Sequence, residues 1–211
     1  MSLKSSKTEK LPILPGTSPF RVKGHVYRGV LEHLETLIPG GCAAIRADFR
    51  DDDLRSFFEQ SFLPSGWYDV LPWQPLIATA ARLFGMPLLQ LTREIARVQA
   101  TRDIHGIYRF VLKVASPDVA VSRLPRVTAQ YFDFGALELK SMEPGHATFE
   151  RTSVPTPMAA FYCGITEGFF SVALELAGAT DVRVRPGRGG RDGARAGIET
   201  MSIPFDLRWQ G

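Results

Sequence analysis

Apolar positions recur at helical spacing from Gly24 to Leu37, where Val26, Val30, Leu31, Leu34 and Leu37 share one face, and Pro39-Gly40-Gly41 stops the run. The triplet Asp51-Asp52-Asp53 predicts the start of a helix carrying Leu54, Phe57 and Phe58. Carboxylates there accept from the free N–H groups of the first turn and favour its positive dipole end. Pro64-Ser65-Gly66 breaks that helix. Residues 71–84 open with Pro72 and Pro75, where a missing N–H costs little, continue as a stripe of Leu76, Ile77, Ala80, Leu83 and Phe84, and stop at Gly85. Pro87 begins the longest helical pattern, with Leu88, Leu91, Ile95, Val98, Ile104, Tyr108, Val111 and Leu112 running to about Val114. Ser116 caps a further helix with Pro117 at its first position, through Val121 and Leu124 to about Tyr131, with a kink expected at Pro125.

After Gly135 the period falls to two. Ala136-Leu-Glu-Leu-Lys-Ser-Met142 and His146-Ala-Thr-Phe-Glu-Arg-Thr152 alternate about a turn at Glu143-Pro144-Gly145, which predicts a β-hairpin. Helical spacing returns over residues 155–178 (Ala160, Phe161, Ile165, Phe169, Val172, Ala173, Leu176), with Gly178 as the natural stop. Val182-Arg-Val-Arg185 reads as a third strand, residues 186–197 as a glycine-arginine loop, and residues 198–209 as a fourth strand. The expected fold class is α+β: a helical half over about residues 20–134, then a four-stranded antiparallel sheet in the order β-β-α-β-β over about 135–210, crossed by one helix. Residues 20–211 are expected to form a single domain. Residues 1–19, with Pro12, Pro15 and Pro19, read as a disordered leader, and Met1-Ser2-Leu3 as a cloning remnant.

Composition adds bounds to this picture. With 211 residues, 45% of them hydrophobic, the chain can bury roughly 70% of its unfolded surface and needs neither disulfide nor metal to hold its fold. No apolar run reaches the roughly 18 residues of a membrane span, and the polar stretch from Ser5 to Lys10 lacks the apolar core of a signal peptide. A cytoplasmic location is expected. Cys42 and Cys163 stand apart, without a CxxC or a histidine at ligand spacing, and predict free thiols in a reducing compartment. The formal charge of +3 is too small to imply nucleic acid. Much of it falls in one stretch, Arg183, Arg185, Arg188, Arg191 and Arg195, within which Asp192 is the only acid.

Candidate chemistry is sparse. His25, His33, His105 and His146 are scattered, none at helical spacing from another, so no metal site is expected. His105 reads as a helix-surface residue, with a haem ligand or a base as the sharper alternatives, and Asp103 as an ion-pair partner for Arg102 or Arg109. There is no GxSxG elbow, P-loop or GxGxxG following a strand, and no titratable pair that argues for an enzyme. The arginines of residues 187–193 suit an anion or a nucleic-acid backbone, or simply a solvated hairpin loop, since no aromatic residue interleaves to stack on bases. Aromatic side chains are the richer signal. They suit ordinary core, or the wall of an apolar ligand cavity between the 155–178 helix, the sheet and the long helix. That cavity would be lined by Tyr108, Tyr131, Phe161, Tyr162 and Phe169, with Arg109 or Arg151 receiving an anionic end.

Several phrases together carry a resemblance over about residues 20–210: Val22-Lys-Gly-His-Val-Tyr-Arg28, Leu63-Pro-Ser-Gly-Trp-Tyr68, Asp103-Ile-His-Gly-Ile-Tyr-Arg-Phe110, Gln130-Tyr-Phe-Asp-Phe-Gly135, Ala173-Leu-Glu-Leu-Ala-Gly-Ala179 and Phe205-Asp-Leu-Arg-Trp209. The chain resembles a paralogous family of uncharacterised proteins expanded in myxobacteria. That family is similar to the superfamily of 4-vinyl-reductase-type sensory domains, haem nitric-oxide-binding domains and TRAPP vesicle-transport subunits. The resemblance implies helices followed by a four-stranded sheet crossed by a helix, and small apolar ligands bound between the layers. The haem-binding branch carries Tyr-x-Ser-x-Arg in the hairpin before the last helix, clamping the haem propionates, and this chain reads Ala147-Thr-Phe-Glu-Arg-Thr-Ser153. The proximal histidine of that branch belongs near Val121 to Val127, where this chain has none, and His105 falls too early. The expectation is therefore no haem. Relatives often keep cysteines in the hairpin joining the last two strands, and this chain has none there. Two functions follow: a non-catalytic small-molecule-binding domain with a sensory or regulatory role or, as in TRAPP subunits, an interaction module forming a homodimer or heteromeric assembly without ligand.

Overall fold

The computed structural model describes residues 11–106 and 116–211. In the helical half, β1 (Arg21–Lys23) pairs antiparallel with β2 (Trp67–Asp69). Between them lie α1 (Gly24–Leu37), α2 (Gly41–Asp48) and α3 (Asp52–Phe57). The Asp51 carboxylate caps α3, accepting from the backbone N–H of Asp53 at 3.0 Å and Leu54 at 3.3 Å, as the acidic triplet predicts. Next come α4 (Trp73–Phe84), closed by Gly85 in the left-handed region at φ 70°, and α5 (Leu88–His105). The expected continuation of α5 to about Val114 lies outside the described residues. In α6 (Pro117–Thr128), the Ser116 hydroxyl accepts from the Val119 N–H at 3.4 Å, Pro117 occupies the first turn, and Pro125 lies inside the helix.

The short elements α2, β1 and β2 were not legible, because three-residue strands carry no measurable alternation. They matter for the N-terminal end of the fold. Buried Asp69, at the end of β2, accepts from the backbone N–H of Gly16 (2.9 Å), Ser18 (3.1 Å) and Leu71 (2.9 Å), and from the Ser18 hydroxyl. The Tyr27 hydroxyl donates to the Asp69 carbonyl. Gly16 to Ser18, expected within a disordered leader, are instead held against the fold by this carboxylate.

The second half is a sheet of β3 (Leu137–Glu143), β4 (His146–Pro155), β5 (Thr180–Pro186), β6 (Gly190–Arg195) and β7 (Ile198–Gln210). Its order is β3-β4-β7-β5, with β6 also paired to β7. The β3–β4 turn passes through Gly145 at φ 74°, as the glycine there predicts. Helix α7 (Ala159–Leu176) joins β4 to β5 after a 3-10 turn, Thr156–Met158. On β4, Ala147, Phe149 and Arg151 alternate toward the core, and on β7 so do Ile203, Phe205, Leu207 and Trp209. The α+β class is as expected, with five strands in the sheet where four were anticipated. The extra strand, β6, lies in the expected glycine-arginine loop, and all six of its residues are exposed, so no apolar alternation could reveal it. By length and composition the segment Thr156–Leu176 is apolar enough to cross a membrane, contrary to expectation, but 61% of its most apolar window is buried inside the protein. It is the core helix of the second half.

Helix α7 meets α5 through glycines. A Cβ on Gly168 would lie 2.5 Å from the Arg93 carbonyl oxygen and 2.8 Å from the Ala96 Cβ. One on Gly164 would lie 3.0 Å from side-chain carbons of Leu89 and Thr92. Replacing Gly168 with valine forces the helices apart and is expected to cost about 1–3 kcal/mol of unfolding free energy in urea titration. Gly190→Ala, with nothing within 4 Å of the added carbon, is the control that leaves stability nearly unchanged.

Candidate functional site

A cavity of about 60 Å³ lies between α7 and the N-terminal helices. Helix α7 presents Phe161, Ile165 and Phe169 at intervals of four, with Tyr162, Thr166 and Phe170 beside them. Thr92, Ile95, Ala96 and Gln99 come from α5, Val26 and Val30 from α1, and Trp73 and Ile77 from α4. Thr128, Tyr131 and Phe132 close the end next to α6. The space exceeds the roughly 10–15 Å³ that one water needs and falls below the roughly 300–1,000 Å³ of ordinary ligand sites.

Of the residues singled out from the sequence, Tyr131, Phe161, Tyr162 and Phe169 come together on this wall. Tyr108 and Arg109 lie outside the described residues. The location differs from expectation in one respect: no described wall residue belongs to a strand. The cavity is enclosed by helices, because α1 and α4 fill the place assigned to the sheet. Trp73 and Phe132 were not assigned to the wall. Both were visible as aromatic residues, but nothing local said that a helix start and an inter-element loop would converge.

Arg151 stands behind two of these rings. It is 1% exposed, its Nη2 donates to the Phe134 carbonyl at 2.8 Å, and its guanidinium carbon lies 4.9 Å from the Tyr162 ring centre and 5.7 Å from that of Phe132. Among the described residues its Nε has no hydrogen-bond partner and no carboxylate forms an ion pair with it. A buried guanidinium without a counter-ion is costly. Burial pushes the Tyr162 phenol above its ordinary value, and the Arg151 charge opposes that shift.

A polar cluster borders the cavity at Tyr131 and Gln99. Buried Asp103 accepts from the Tyr131 hydroxyl at 2.7 Å and the Gln99 amide at 2.9 Å, and the His25 Nε2 lies 3.7 Å away. Asp103 was expected to pair with Arg102 or Arg109, but Arg102 instead bonds Glu32 at 2.8 Å. His105 is exposed, with Nδ1 2.8 Å from the Thr101 carbonyl. Among the described residues no group of three or more His, Cys, Asp or Glu could hold a metal ion. Burial pushes both thiols, Cys42 and Cys163, up to about 11.

No protein-family model and no curated protein matches the chain. Solved structures do. The Fe(II) unliganded H-NOX protein from K. algicida superposes with a TM-score of 0.63 at 12% identity, over 90% of this chain and 97% of that one. An oxygen-binding H-NOX domain related to soluble guanylate cyclases, solved as its oxygen complex, matches with a TM-score of 0.61 at 11% identity, over 90% and 95%. A structure probing haem distortion in the H-NOX family gives the same values. The chain therefore has the H-NOX fold, the one implied by the resemblance to sensory domains.

These likenesses overturn the expectation that excluded haem, since the solved structures of this fold include haem proteins. Ala147, Phe149 and Arg151, facing inward at intervals of two on β4, keep the arginine of Tyr-x-Ser-x-Arg at its spacing. Arg151 thus suits a propionate. As arranged, the described residues leave about 60 Å³, less than a porphyrin needs, and place no His, Cys or Met on the wall.

Two half-buried imidazoles contribute to the pH response. His25 and His33 both sit below the ordinary 6.5, chiefly through burial, and in each case the Nε2 has no hydrogen-bond partner. Between that value and their lower folded ones the unfolded chain binds more protons. Stability that is full above pH 6.5 is therefore lost as the pH falls below it. Chemical denaturation at pH 7.0 and pH 5.5 should show the loss, and His25→Asn should flatten part of it.

Proposed function

We propose that this protein is a cytoplasmic, non-catalytic sensory domain of the myxobacterial paralogous family, binding a small amphipathic molecule with an anionic end. Arg151 carries the reading: a buried, uncompensated guanidinium whose Nε lacks a partner, packed on two rings that line an apolar cavity. The ligand's apolar body lies among Phe161, Ile165 and Phe169 of α7 and the facing side chains of α5. Phe132 and Tyr162 pack on the guanidinium and also line the cavity, so displacement of either ring would open a path from the cavity to Arg151. A carboxylate placed there supplies the missing counter-charge and makes a charge-assisted hydrogen bond to Nε. The fold shared with H-NOX domains supports a sensory role.

The test compares 4-ethylbenzoate with 4-ethylbenzyl alcohol by isothermal titration. The acid is expected to bind roughly 10- to 100-fold more tightly, and Arg151→Met should erase the difference. Equal binding of acid and alcohol to the unaltered protein would refute the reading. Haemin, an apolar ring with carboxylates, is titrated in parallel, and an absorbance band that is lost in Arg151→Met identifies haem as the occupant.

One observation favours the second reading, an interaction module. Leu83 and Phe84 at the end of α4 and Leu88 and Leu89 at the start of α5 are all partly exposed at one corner. Sedimentation equilibrium should then show self-association that Phe84→Glu abolishes.

A further inference from the structure

The cavity wall contains one buried polar atom with no partner among the described residues: the indole N–H of Trp73. Trp73 is 4% exposed and firmly placed. Its backbone N–H donates to the Val70 carbonyl at 3.1 Å, and its ring sits edge-on to Phe132 and Tyr27 at 6.4 and 5.6 Å. The indole cannot turn to water without breaking this packing, and a buried donor left unmade is a real cost.

Thr92, Thr128, Gln99 and Tyr131, four further polar side chains on the wall, donate to the protein itself. The Thr92 hydroxyl donates to the Leu88 carbonyl at 2.8 Å and the Thr128 hydroxyl to the Pro125 carbonyl at 3.1 Å. Gln99 and Tyr131 both donate to Asp103. Each of these groups already bonds to the protein, whereas the indole N–H is buried without a partner among the described residues.

We infer that the ligand carries an oxygen acceptor, such as a ketone or ester carbonyl, which the Trp73 indole N–H holds, and that Trp73 selects oxygenated amphipaths over purely hydrocarbon-bodied ones. This rests on the reading of the cavity as a ligand site, and adds a determinant separate from Arg151. Both residues pack against Phe132, so the ligand's acceptor and its anionic end are served from either neighbour of one ring.

The test uses two matched pairs on the full chain: ethylbenzene with acetophenone, and 4-ethylbenzoate with 4-acetylbenzoate. Each pair differs by one carbonyl, and only the second carries a carboxylate. The acetyl member of each pair is expected to bind about 10-fold more tightly. Trp73→Phe, which keeps an aromatic ring and deletes the N–H, should erase that preference and leave the ethyl compounds within about twofold. A second readout on the unaltered protein guards against a poorly folded variant. The Trp73 indole N–H resonance should move downfield with acetophenone and not with ethylbenzene. Trp67→Phe and Trp209→Phe assign the other two of the three tryptophans. Equal affinities within both pairs, a preference that survives Trp73→Phe, an unmoved indole resonance, or no binding by any of the four compounds overturns the inference. A carboxylate advantage that is absent while the carbonyl preference holds overturns the role of Arg151 and leaves that of Trp73 standing.

Discussion

The close approach of α5 to α7 is the constraint on which the rest of the structure depends. At Gly164 and Gly168 there is no room for a side chain between the helices, and only glycine lets two backbones come this near. The crossing joins the two halves: α5 belongs to the helical half, and α7 is the connection between β4 and β5. Away from the glycines, α5 offers Ile95 and Gln99 and α7 offers Phe161, Tyr162 and Phe169. These side chains fill the inter-helix space almost completely and leave the cavity as its remainder. Two ion pairs flank the same crossing, Arg93 with the largely buried Glu167 at 2.6 Å and Arg97 with Glu175 at 2.8 Å, of which the half-exposed second contributes little beyond register.

Against this tightly packed background Arg151 is an expense. Its position on β4 points inward between Phe149 and the end of the strand, where an apolar residue of similar volume would be cheaper. Stacking on Tyr162 and Phe132 and the single bond to Phe134 recover part of the cost. The indole of Trp73 repeats the pattern on a smaller scale. Two unmet donors packed against one phenylalanine are more economically explained by a partner that completes both than by chance.

Long helices and the hairpin were readable because each buries one periodic face: Leu76, Ile77 and Ala80 on α4, and Ala147 and Phe149 on β4, follow directly from spacing. The same spacing picked out Phe161 and Phe169, which lie on the cavity side of α7. What stayed hidden has a common physical cause. β1 and β2 are too short for periodicity, β6 is polar on both faces, and the docking of Gly16 and Ser18 depends on Asp69, more than 50 residues away. Trp73 reaches the cavity from the start of α4 and Phe132 from the segment after α6, a tertiary convergence with no local trace. For Arg151 the residue was legible and its isolation was not, since a missing counter-ion is a property of the surroundings.

The likeness to haem proteins at about 12% identity over 90% of the chain shows how one backbone arrangement accommodates different interiors. Cores tolerate wholesale exchange when volume and pattern are kept, so the fold alone does not say how wide a space the helices enclose. In this chain, aromatic rings occupy that space. Any ligand larger than a few waters must displace rings of Phe132, Tyr162, Phe161 or Phe169, which line the space. Binding therefore cannot be a silent filling of a preformed hole. On the proposed reading the rings would adopt a second arrangement, and α7, which connects β4 to β5, would carry it toward the sheet. A domain whose occupied and empty states differ in packing has what a sensor requires: two structures whose balance a ligand shifts by its differential affinity.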